Sequence, residues 1–166
     1  MARRPVLRPA PRTLRAAVDA AFQAYAERGV FRGFSMAEGA RGLRVYRFVW
    51  LGNRTQLVTL APASRRLVFV ALFPGVRRTP GAVAALRAAI RAHATSAVPA
   101  HRRLRPGAGK MEGRVTDGDL SLHLIIGAGH GITVVRAALA VVNDLFQLLQ
   151  ECFPEYLVTQ LGWRDE

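Results

Sequence analysis

The chain has 166 residues, 51% of them apolar and 21% charged, and a net charge of +13. A chain of this size buries roughly 70% of the surface its unfolded form exposes, so it holds a core without staples, and disorder throughout is excluded. The longest unbroken apolar run, Leu67 to Phe73, is too short to cross a bilayer, and one cysteine, Cys152, excludes an internal disulfide and fits a reducing compartment.

Residues 1–12 carry Arg3, Arg4, Arg8 and Arg12 among Pro5, Pro9 and Pro11. Proline at that density blocks a helix and no apolar stretch follows, so the segment reads as a flexible basic arm and not as a secretory signal. Thr13 is a good N-cap. After it Leu14, Val18, Ala21, Phe22 and Tyr25 recur at helical spacing, which predicts an amphipathic helix ending near Gly29. The glycine-rich stretch 30–42 reads as a loop. Three strands follow: Leu43 to Leu51, Arg54 to about Ala61, and Arg65 to Phe73. Gly52-Asn53 and Pro62 to Ser64 supply the turns, and connections this short make an antiparallel meander. The third strand is apolar on both faces beyond its arginines, which predicts a central strand covered on both sides.

Thr79-Pro80 reads as an N-cap followed by proline at the first helical position. The helix it opens buries Val83, Leu86 and Ile90 and fades near Ala94. Residues 95–109, with Arg102, Arg103 and Arg105, read as a mobile basic loop. Met111 to Thr116 and Asp119 to Ile126 flank Asp117-Gly118, the clearest hairpin turn in the chain. On the outgoing strand Leu120, Leu122, Leu124 and Ile126 face one way, Ser121, His123 and Ile125 the other. A last helix, opened by Thr133 and lined by Val135, Leu139, Val142, Phe146 and Leu149, stops at Pro154. Residues 156–163 fit a short strand or a final turn of helix. The order α-β-β-β-α-β-β-α bunches its strands, so it predicts one α+β domain, residues 13–166, with a five-stranded antiparallel sheet.

No reaction can be assembled from these residues. Gly107-Ala-Gly-Lys110 lacks the spacing of a phosphate loop, and Met111 stands where that motif needs Ser or Thr. Gly127 to Gly131 reads as a permissive reversal of the chain. His93, His101, His123 and His130 never pair at i, i+4, and the lone Cys152, read as a buried small hydrophobe, completes no zinc pattern. Acids are too scattered for paired-carboxylate work. The expectation is a protein that is no enzyme and needs no cofactor or metal.

Charge is distributed unevenly. Residues 1–110 hold 21 basic and 3 acidic side chains, and residues 111–166 hold 3 and 8. All but one of the 24 basic residues are arginine, Lys110 being the exception, a bias that a GC-rich genome would write. A half-molecule this basic attracts acidic protein surface or phosphate, or else remains a solvated, self-repelling surface. Tyr46, Phe48 and Trp50 alternate along one strand face. Such a row packs against a helix or a second copy, or serves as a base-stacking platform.

The hairpin Gly113 to Ile126, with Asp117-Gly118 at its tip and leucines alternating after it, is followed by Gly131-Ile-Thr133 and a long helix ending at Phe153-Pro154. This stretch resembles the YbjN-like family, which shares the α-β-β-β-α-β-β-α fold of type III secretion chaperones. The resemblance in motif covers residues 110–155, and that in element order covers 13–155. It implies a cytoplasmic, non-catalytic adaptor or chaperone-like protein, often dimeric, that binds an extended segment of a partner. Those chaperones are usually acidic, whereas this chain is basic.

Two expectations follow. The first is a homodimeric adaptor for an acidic or extended protein segment, with apolar anchors among Tyr46, Phe48 and Trp50 and steering by Arg44, Arg47, Arg65 and Arg66. The second is a nucleic-acid-associated protein that contacts phosphates through Arg3, Arg4, Arg8, Arg12, Arg102, Arg103 and Arg105 without reading sequence. Neither expectation involves a membrane.

Overall fold

A computed structural model describes residues 13–163. The arginine–proline arm, with Arg3, Arg4, Arg8 and Arg12, lies outside the described residues. In chain order the elements are α1 (Leu14–Glu27), β1 (Arg32–Glu38), β2 (Arg44–Trp50), β3 (Arg54–Ala61), β4 (Arg66–Phe73), α2 (Ala82–Ala92), β5 (Gly109–Thr116), β6 (Asp119–Ile126), α3 (Gly131–Cys152) and α4 (Pro154–Leu161). The strands form one sheet in the order β1-β2-β3-β4-β6-β5, and every neighbouring pair is antiparallel. The fold is α+β, as expected, but the sheet has six strands instead of five.

The additional strand is β1, which the glycines of 30–42 disguised as a loop. It is an edge strand with no fully buried residue, so it lacks the strict alternation that marks a half-buried strand. Its start is blunted by a register shift between Arg32 and Ser35, with Gly33 at φ 59°. The hairpin of β5 and β6 turns through Asp117 and Gly118, both left-handed at φ 53° and 86°, the type I′ geometry that Asp-Gly favours. In β4, Ala71 is also left-handed, at φ 45°, and the register against β6 shifts between Phe69 and Phe73. That bulge places Leu72 and Phe73 both in the core.

Helix α1 is capped by Thr13, whose hydroxyl accepts from the Ala16 N–H. The start of α2 differs from expectation. Thr79-Pro80-Gly81-Ala82 closes a turn in which the Ala82 N–H donates to the Thr79 carbonyl and Gly81 takes φ 81°, the type II turn that Pro-Gly encodes. Helix α2 therefore begins at Ala82, with no side-chain cap. Pro154 stops α3 and also opens α4, which settles residues 154–161 as helix. Cys152, expected in the core, is exposed.

Helices α1, α2 and α3 pack on one side of the sheet. Phe22 of α1 stacks on Tyr46 with ring centroids 4.5 Å apart, and Phe146 of α3 meets Phe73 at 5.1 Å. Ten of the 22 residues of α3 are buried there. This helix has the length and composition to cross a membrane, yet its apolar face is used as the lining of the core. Gly131 permits its close approach to α1, since a Cβ there would sit 3.0 Å from that of Ala17. Segment 95–109, expected to be mobile, is pinned by buried Leu104 and Ala108 and by the Leu104 N–H donating to the His93 carbonyl.

Candidate functional site

The sheet has two unlike faces. Tyr46, Phe48, Val58, Leu60, Leu67 and Phe69 point inward and are at most 1% exposed. The opposite set from the same strands, together with Ser121, His123 and Ile125, contains no fully buried residue. The expectation that both faces of the third strand are covered is therefore corrected: Val68 and Val70 of β4 lie half-exposed on an outer face that, among the described residues, no helix covers.

Register defines the surface of that outer face. Arg47 stands beside Leu57, and Leu57 beside Val70. In the next row Val45, Thr59, Val68, His123 and Glu112 follow one another across five strands. Arg66, Ile125 and Lys110 make a third row. The result is an apolar strip of valine, leucine and isoleucine framed by Arg47, Arg66, Lys110 and Arg114.

The site residues proposed from sequence divide between the faces. Tyr46 and Phe48 are core residues beneath α1, and Trp50 is half-buried with its ring edge-on to Phe31 at 5.7 Å. None of the three forms an exposed anchor or a stacking platform on the outer face, because β2 turns this side of its pleat towards the helices. Arg44 is equally internal. Its Nε and Nη2 donate to the two carboxylate oxygens of Asp19 at 3.0 and 3.1 Å, and the Tyr46 hydroxyl donates to Asp19 Oδ1 at 2.7 Å. The hydrogen bond to Asp19 raises the Arg44 pKa, and burial, followed by the Asp19 bond, raises that of Tyr46. Arg65 donates to the carbonyls of Ile126 and Gly127, pinning the end of β6. Of the proposed steering residues, Arg47 and Arg66 remain on the outer face.

The basic segment after α2 is similarly occupied. Arg102 donates to Asp144 Oδ1 at 2.6 Å, and buried His93 places Nε2 3.1 Å from Asp144 Oδ2. Arg103 donates to the Val98 carbonyl, while Arg105 is exposed. Two exposed acids also pair with arginines of the same chain, Glu38 with Arg15 and Glu112 with Arg114.

At the β5 side the sheet runs into a groove of about 560 Å³. Ile90 of α2, Ala94 in the turn after it, Leu104, Met111 and Ile125 supply its apolar lining; Arg66, Arg91, Lys110 and Arg114 supply its charge. His123 also lines it, with Nδ1 shielded from solvent and without a hydrogen-bond partner. Burial, together with the nearby charges of Arg114 and Arg66, lowers the His123 pKa, so its ring is neutral at pH 7. Sequence reading missed this groove because its lining comes from five separate segments; the one visible signal was the i, i+2 alternation of Lys110, Glu112 and Arg114. Among the described residues no three His, Cys, Asp or Glu side chains gather as a metal site would require.

Comparison of the chain with known protein families, with characterised proteins and with solved structures finds no match.

Proposed function

We propose that this protein is a non-catalytic adaptor or chaperone-like module, acting as a cytoplasmic dimer, that binds an acidic or extended segment of another protein across the outer face of its sheet. The observation that carries the reading is the uncovered outer face itself. An apolar strip left in water on one side of a folded sheet is the usual mark of a surface that meets something else. The arginines and the lysine around it select for negative charge in whatever docks, through steering more than through raw affinity. We read the architecture as a YbjN-like, type III secretion chaperone-like arrangement extended by edge strand β1 and helix α4.

The test is fluorescence anisotropy with a labelled ten-residue peptide of alternating Glu and Leu, at low and moderate salt. Binding is expected, weaker at higher salt, and lost in Leu57→Asp and in Arg47→Glu with the far-ultraviolet spectrum unchanged. Equal binding of a control peptide of the same length with alternating Lys and Leu, or full binding by both variants, refutes the reading. Light scattering at high protein concentration decides the dimer, and a strict monomer removes it.

The nucleic-acid reading has less support. Arg102 and Arg103 already hold Asp144 and the Val98 carbonyl, which leaves Arg105 of that trio uncommitted. If six phosphate contacts formed on duplex DNA, the log–log salt slope would be about −5. A gel shift with random DNA at two salt concentrations measures it, and no shift at low salt eliminates it.

A further inference from the structure

The groove beside β5 differs from the open sheet in kind. Its volume of about 560 Å³ is that of a small-molecule site, and neither a folded partner nor a nucleic acid would be received by a space of that size. One part of its lining is aliphatic: Ile90, Leu104, Met111 and Ile125 come from four different segments. Around these stand Arg66, Arg91 and Lys110, which make no ion pair among the described residues, and Arg114, which holds Glu112. Glu112 is the single carboxylate of the lining, and it is already neutralised.

We infer that this groove binds a single-chain anionic amphiphile: an alkyl chain against Met111 and Ile125, over a floor of nearly buried Ile90 and Leu104, and a carboxylate or phosphate headgroup among Arg91, Lys110 and Arg66. The groove shares Arg66, Lys110, Arg114, His123 and Ile125 with one edge of the outer face, but its occupant needs no partner protein. Charge fixes the sign of the headgroup. A cationic amphiphile would meet three unpaired positive side chains, Arg66, Arg91 and Lys110, beside the Arg114–Glu112 pair. A short anion without a tail would leave the aliphatic surface in water.

The measurement is titration calorimetry on the full chain with dodecanoate, dodecyl phosphate and dodecyltrimethylammonium, all below their micelle concentrations, with inorganic phosphate and anionic phospholipid vesicles as further arms. One dodecanoate or dodecyl phosphate per chain is expected, with the ammonium at least about tenfold weaker. Lys110→Glu and Arg91→Glu should each weaken dodecanoate by about three- to tenfold, and Arg78→Glu should leave it unchanged. Ile125→Glu, at a side chain already 38% exposed, should weaken it with the thermal midpoint held. Equal affinity for the ammonium, unsaturable uptake of several molecules per chain, or full binding by the reversed variants overturns the proposal. Inorganic phosphate binding as tightly as dodecyl phosphate overturns it as well, since the site would then be a bare anion pocket. Vesicle binding without monomer binding assigns the charge to a membrane surface and removes the groove from the account.

Discussion

Asp19 is the acceptor on which the junction of α1 and β2 turns, so its removal is the sharpest test of where Arg44 and Tyr46 belong. The carboxylate receives two guanidinium hydrogen bonds and one phenolic one, at 3.0, 3.1 and 2.7 Å. The side chains of Arg44 and Asp19 are 14% and 22% exposed, so water screens the pair only in part. Breaking a fully buried pair costs about 3–5 kcal/mol, and the residual exposure brings Asp19→Ala to about 2–4 kcal/mol. Tyr46→Phe leaves the Arg44 pair in place and forfeits one bond to a charged acceptor, about 1–2 kcal/mol. The double variant should cost less than the sum of the two by about 1 kcal/mol, because with Asp19 gone the hydroxyl has nothing left to donate to. Urea unfolding of the four proteins with a common m-value gives these numbers. If Asp19→Ala lies within about 0.5 kcal/mol of the parent, the contact is not a structural one, and Arg44 is free to serve a partner after all.

Three other outcomes are expected. His123 has a lowered folded-state pKa, so the unfolded chain takes up its proton first on acidification. Stability from this group is complete above about pH 6.5 and is lost as pH falls from there through the lowered value; His123→Gln should flatten that part of a urea-midpoint profile. Gly109→Ala and Gly113→Ala should separate. An added Cβ at 109 clashes with the backbone carbonyl oxygen of Ile125, whereas at 113 it meets the flexible tip of Ile90 at 2.9 Å. Chemical denaturation should show a loss of about 2–3 kcal/mol for the first and under about 1 for the second. Gly118→Val forces a β-branched residue to φ 86° and should lower stability by about 1–3 kcal/mol, read as a fall in thermal midpoint.

What the sequence made legible follows the strength of its local chemistry. The Asp117-Gly118 turn, the Thr13 cap and the apolar stripes of α1 and α3 are each decided within a few residues, and each stands where the pattern placed it. Strand β1 was lost because an edge strand needs no inward face; Phe34 and Met36, two apart and half-buried, were its one periodic trace. The start of α2 was misplaced because proline followed by glycine satisfies a turn more strongly than Thr-Pro satisfies a helix cap. The candidate site was the least legible part. The sequence marks Val68 and Val70 as apolar but does not say which side of the sheet receives the helices, and the groove exists only after five segments have met.

Helix α3 lies C-terminal to all six strands and carries nine of the buried side chains that roof them. As the chain leaves the ribosome, the pleated platform is therefore complete in sequence while much of its oily underside has nothing to rest on. Until residues 131–149 emerge, Leu120, Leu122, Leu124 and Phe73 have to be shielded by something other than their final cover, and the window for misassembly stays open until α3 has been made.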